Sequence, residues 1–78
     1  MPERMNVSLN TRFDRGAAIE WDIDIVTDAD TQIPAGGQLV GCGQSVREVL
    51  ADLRKKAAHQ LALPASKVQI VGYSFYRR

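Results

Sequence analysis

Residues 5–26 read MNVSLNTRFDRGAAIEWDIDIV, and how this stretch is divided decides the fold. From Met5 to Phe13 the apolar side chains Met5, Val7, Leu9 and Phe13 fall on one side of an extended chain, with Thr11 among them. Asn6, Ser8, Asn10 and Arg12 fall on the other. Residues 17–27 alternate again, with Ile19, Trp21, Ile23 and Ile25 opposed to Glu20, Asp22 and Asp24. A period of two marks a strand with one buried face. Between the two runs lies Asp14-Arg15-Gly16. Three-residue hairpin loops end in a residue at positive φ, which glycine adopts without steric cost. The reading predicts a hairpin in which Phe13 faces Ala17, Leu9 faces Trp21, Val7 faces Ile23 and Met5 faces Ile25. A slip by one residue would set apolar side chains against polar ones.

Working outward, residues 28–38 (DADTQIPAGGQ) carry the composition of turns and predict a loop. Leu39-Val40 then predicts a brief third strand. Ser45-Val46-Arg47-Glu48 fits a capping box at a helix start. Val46, Val49, Leu50, Leu53, Ala57 and Leu61 follow at helical spacing as one apolar stripe, and Arg47, Ala51, Arg54, Lys55 and Ala58 form the outer face. Asp52 and Lys56 make an i,i+4 pair. Pro64 stops the helix after about 18 residues, or roughly 27 Å. Residues 67–76 (KVQIVGYSFY) are rich in β-branched and aromatic side chains and predict a final strand, with Gly72 marking a bulge. The order is β-β-(β)-α-β: a single α+β domain over 1–78, a two-layer sandwich with an antiparallel-dominated sheet and one helix on one face.

Composition narrows function. The chain has 78 residues, a net charge of +1 and 24% charged residues, which argues against a general electrostatic grip on nucleic acid or an anionic membrane. Cys42 is the one cysteine, so no internal disulfide forms and a reducing compartment is the simpler setting. No apolar run approaches the roughly 20 residues of a membrane span. MPERMNVSLN lacks the apolar core of a signal peptide. Together these predict a cytoplasmic protein with no membrane partner.

The charges are segregated, and the acidic ones define the candidate site. Alternate residues of a strand stand about 6.5–7 Å apart, so Glu20, Asp22 and Asp24 form a row on the wet face. In the predicted register the row faces Asn10, Ser8 and Asn6, with Arg12 diagonal to Glu20. Such a row suits a protein partner with a basic groove, and Glu20, Asp22, Asp24, Asn10 and Arg12 form the expected contact. Pairing with Arg77 or Arg78, or plain solvation, are the competing readings. Carboxylates this far apart do not converge on one ion, so no metal is expected. The basic residues Arg47, Arg54, Lys55, Arg77 and Arg78, with Tyr76 stacking on a base, make the alternative: a direct nucleic-acid interface.

Catalytic signals are weak. His59 has no second ligand or nucleophile in its turn, Cys42 reads as a small buried thiol, and GCGQS lacks the lysine and spacing of a phosphate loop. Trp21 falls on the apolar side of its strand and is expected in the core. No enzyme activity and no cofactor are expected.

The segment GCGQSVREVLADLRKKA, residues 41–57, resembles HicB-type antitoxins in Gly43, Ser45, Glu48, Leu50, Asp52, Leu53 and Arg54, and the preceding strands come in the right order. It departs from the family at Pro34-Ala35-Gly36, and no C-terminal DNA-binding domain is expected. The resemblance implies masking of a small RNA-cleaving toxin. The expected function is thus a small non-catalytic protein that inhibits or regulates a partner, as antitoxins and phage-encoded defence inhibitors do. A homo-oligomer, a dimer in its simplest form, joined through an exposed sheet edge is the third reading.

Overall fold

The computed structural model describes residues 3–78, so the first two residues of the stretch read for a signal peptide lie outside the description. One antiparallel sheet carries four strands: β1 (Glu3–Arg4), β2 (Ala18–Thr27), β3 (Gln32–Val40) and β4 (Val68–Arg77), in the order β1-β4-β2-β3. Among the described residues one α-helix, α1 (Val46–Leu61), lies on one face. The α+β, two-layer reading is correct.

The predicted first hairpin is not. Residues 5–13 form no strand with β2, because both edges of β2 are taken: Ile19 pairs with Leu39 on one side and Arg77 on the other. The true hairpin joins β2 to β3 through Asp28-Ala29-Asp30. Thr27 N donates to Thr31 O (3.3 Å), Asp30 N donates to Thr27 O (3.0 Å), and Asp30 takes the left-handed conformation at φ +56°. This is the three-residue loop expected at 14–16, with aspartate in the glycine position, which short polar side chains tolerate. Residues 32–38, expected as loop, belong to a nine-residue strand. Pro34 sits there because β3 is an edge, where one side of the backbone needs no ladder partner.

Segment 5–13 does different work. It leaves the sheet after Met5 N donates to Phe75 O, then runs to the start of the helix. Val46 N donates to Thr11 O (2.8 Å) and Arg47 N to Leu9 O (3.1 Å), while Ser45 Oγ accepts from Glu48 N (3.2 Å). The first amides of α1, orphaned in an isolated helix, are therefore satisfied within the chain. The serine half of the capping box forms, and Glu48 instead stands 3.9 Å from Arg12. The turn at Asp14–Gly16 exists, with Gly16 at φ +83°, but it is pinned to Gly41 by Gly16 N→Gly41 O and Gly41 N→Ala17 O, both 2.8 Å.

The core gathers Phe13, Ile19, Ile23 and Ile25 with Val46, Val49, Leu53, Val68 and Phe75. Phe13 and Phe75 stack tilted at 5.1 Å, within the favourable range for aromatic pairs. Two positions on α1 depart from the expected stripe. Ala58 is buried and Leu61 is exposed, because the chain folds back at Ala62 and Leu63 N donates to Ala58 O, covering that turn. The Asp52–Lys56 pair forms at 3.0 Å. Gly72 does mark a bulge: Gly72 pairs with Asp24 and Ile70 with Ile25, leaving Val71 unpaired and exposed. No helix among the described residues is long and apolar enough to cross a membrane.

Candidate functional site

Register on both flanks defines the surroundings of the acidic row. Glu20 lies between Gln38 and Tyr76, Asp22 between Gly36 and Ser74, and Asp24 between Pro34 and Gly72. All belong to the sheet face away from α1, the side opposite Ile19, Ile23 and Ile25. The neighbours are neutral, and around the two aspartates they are small. The floor is shaped to the carboxylates. A Cβ on Gly36 would stand 2.9 Å from Asp22 Oδ1, and one on Gly72 would stand 3.3 Å from Asp24 Oδ2. Asp22 thus leans over β3 and Asp24 over β4, into the space that missing side chains leave. A shallow hollow of about 340 Å³ is lined by Asp22, Asp24, Pro34, Gly36, Gly72 and Ser74.

No carboxylate of this row forms an ion pair among the described residues. The ion pairs among the described residues join Arg12 to Glu48, Lys56 to Asp52 and Lys67 to Asp28. Arg77 stands in register with Ile19, off the row, whereas Arg78, whose N donates to Ala18 O, and Arg4, opposite Tyr76, fall on the row's face at its Glu20 end without pairing with it. Lys67 is held above the ordinary lysine pKa by its hydrogen bond to Asp28 and then by the charge of that carboxylate. That pair sits at the β2–β3 turn, apart from the row.

Asn10 and Arg12 must be removed from the predicted contact. They were placed there by the hairpin that does not form. Arg12 Nη1 donates to Gly43 O (2.9 Å), and Asn10 Oδ1 accepts from Arg47 Nη2 (3.4 Å), both at the start of α1. The alternative basic set is divided as well. Arg54 Nε donates to Ala65 O, just before β4 begins, whereas Arg77 ends β4, ten residues long. Lys55 is exposed on α1, and Tyr76 lies beside Glu20 on the acidic face. What does gather is Arg12 and Arg77 with Arg4, around one depression that also includes Glu3. Arg4 was missed by the sequence reading, and only the pairing of β1 with the end of β4 reveals it.

The other face carries a second feature. Of the strands, α1 lies chiefly against β4, leaving part of β2 and β3 uncovered. The resulting groove of about 560 Å³ has Trp21, Ile23, Leu39, Val49 and Leu53 among its walls. Trp21 is half-buried there rather than enclosed in the core. Its indole occupies the space above Gly37, where a Cβ would stand 2.6 Å from Cζ2. Cys42, expected to be buried, is exposed beside the groove, because Gly41 takes the buried position at the base of its loop. His59 is exposed. The first amides of α1, which an anion cradle after GCGQS would use, are bonded to Thr11, Leu9 and Ser45, so the segment offers no such cradle. No protein-family model, curated protein or solved structure matches the chain.

Proposed function

We propose that this chain is a small, non-catalytic binding protein that inhibits or regulates a protein partner bearing a basic surface, and that the outer sheet face is its contact. The observation that carries the reading is the state of Glu20, Asp22 and Asp24. They are aligned on one strand, flanked by neutral residues, and without a cation partner among the described residues. Three like charges in a row repel one another, and a basic groove relieves that repulsion on binding. A fixed line of carboxylates also resembles the charge spacing of a nucleic-acid backbone, which makes a nucleic-acid-handling protein the favoured partner class. The narrower form of the proposal, masking of an RNA-cleaving toxin as in HicB-type antitoxins, rests on the resemblance in residues 41–57. Phage-encoded defence inhibition is the equivalent form for a viral source.

The test is capture of a partner from nuclease-treated extract of the native cell or its virus host, with mass spectrometry. Glu20→Gln combined with Asp22→Asn and Asp24→Asn keeps side-chain shape and removes the charge. The partner should be lost with this variant and with rising salt, and retained with Arg54→Glu combined with Lys55→Glu. The opposite ranking, with nuclease-sensitive capture, replaces the proposal by nucleic-acid binding.

A further inference from the structure

The outer edge of β3 is open along its length, and its sequence names what completes it. In an antiparallel ladder the N–H and C=O of one residue point to the same side, and successive residues alternate. Gly41 N donates to Ala17 O at one end of the β2–β3 ladder, and Thr27 N to Thr31 O at the other, with unbroken register between. The backbones of Ile33, Ala35, Gly37 and Leu39 therefore face β2. Those of Gln32, Pro34, Gly36, Gln38 and Val40 face outward from the edge of the sheet. Pro34 has no N–H to offer. The stretch able to accept another strand is Gly36-Gly37-Gln38-Leu39-Val40.

Read from Gly36, this stretch is small, small, polar, large, large, and read from Val40 it is the reverse, so it complements a second copy reversed about Gln38. We infer that β3 pairs antiparallel with β3 of a second copy of this chain, about a two-fold axis at Gln38. In that register Gln38 meets Gln38, and Gly36 meets Val40 of the second copy, each pair exchanging both backbone hydrogen bonds. Val40, 66% exposed in the single chain, then lies across a glycine instead of in water. On the face carrying α1, Leu39 comes opposite Gly37 of the second copy and packs against the indole that lies over that glycine. Shifting each strand so that Gly36 meets Gln38 brings Pro34 into the ladder and sets Gly37 against Gly37, losing a bond and leaving a void. A two-fold contact requires such a self-complementary patch.

The dimer joins the sheets through β3, extends the two apolar grooves into one floor and sets the two acidic rows on the same outer face. It uses the strand edge and leaves Glu20, Asp22 and Asp24 free, so it stands or falls independently of the proposed function.

Sedimentation equilibrium of the full chain over a wide concentration range should show a reversible monomer–dimer equilibrium. Gln38→Pro removes the outward N–H at the axis in the kind of position that Pro34 already occupies, so it should give monomer with an unchanged circular dichroism spectrum. Gln38→Cys with Cys42→Ser should cross-link to a disulfide dimer under mild oxidation, since directly opposed residues stand at bonding distance. Val40→Cys with Cys42→Ser should not, because Val40 faces Gly36. A monomer at every concentration overturns the inference. Dimerisation unchanged by Gln38→Pro, or cross-linking through Val40→Cys and not Gln38→Cys, overturns the edge or the register.

Discussion

Replacing Gly41 by alanine tests the arrangement that sequence reasoning missed, in which residues 13–17 are clamped to the loop before α1. A Cβ on Gly41 would fall inside the van der Waals shell of the Asp14 carbonyl oxygen and stand 3.3 Å from Phe13 Cβ. Asp14 cannot move freely, because Phe13 is 1% exposed and Gly16 and Ala17 are both bonded to Gly41. Overpacking of this kind costs about 1–3 kcal/mol. Losing the two backbone bonds adds about 0.5–1.5 kcal/mol each. The expected loss is about 2–6 kcal/mol, against a total stability of roughly 4–12 kcal/mol for a chain of this length. With a urea slope of about 1 kcal/mol/M, the midpoint should fall by about 2 M or more, or the folded baseline disappear. Gly16→Ala and Gly43→Ala are the controls. Both glycines sit at positive φ (+83° and +85°) with open space around them, so each should cost only the left-handed strain of about 1–2 kcal/mol. Equal losses at the three positions in urea denaturation would refute the clamp.

Three further outcomes follow from the same geometry. Ala62 ends α1 in the left-handed region at φ +57°, so Ala62→Gly should stabilise the protein by about 0.5–1 kcal/mol in urea melts; a loss would mean that this turn is not strained. Ser45→Ala removes the side-chain acceptor of the Glu48 amide and should cost about 1 kcal/mol, with the helix retained by circular dichroism because Thr11 and Leu9 still hold the amides of Val46 and Arg47. Lys67 has its folded pKa raised above 10.5 by Asp28, so the contribution of that pair is complete below 10.5 and is lost as pH rises through the folded value. Lys67→Met should therefore flatten the alkaline fall in stability measured by thermal melts, and an unchanged alkaline slope would count against the pair.

What could be read from the sequence followed from whether a signal was local. The helix was legible because its cap, stripe and stop lie within the segment itself, and the last strand because β-branched and aromatic residues crowd there. The hairpin failed because alternation shows that a segment is extended with one face inward, not which neighbour it has. Residues 5–13 alternate because Met5, Val7 and Phe13 pack toward the core while the backbone serves the start of α1. β3 also alternates, through Ile33, Ala35, Gly37 and Leu39, but small side chains and Pro34 give the stretch the composition of a turn. On an edge, proline needs no ladder partner on its outward side, and Gly37 is covered by Trp21 from the next strand. Neither compensation is visible without the pairing.

The candidate site came through this error changed in a definite way. Which residues share a face of β2 depends only on the period of two, so Glu20, Asp22 and Asp24 stay together whichever strands flank them. What lies opposite depends on pairing, and there Asn10 and Arg12 gave way to Gly36, Pro34, Gly72 and Ser74. Arg12 is engaged by Gly43 and Glu48, and Arg78, opposite Ala18, takes the diagonal position to Glu20 that Arg12 has in the predicted hairpin, without forming an ion pair with it. The glycines take on a meaning too. Gly36 and Gly72 provide the room into which Asp22 and Asp24 lean, on opposite sides of β2, so adjacent charges diverge instead of crowding. A Gly72→Ala substitution would press on Asp24 while leaving every charge in place. It therefore asks whether a partner reads the positions of these carboxylates or only their sign.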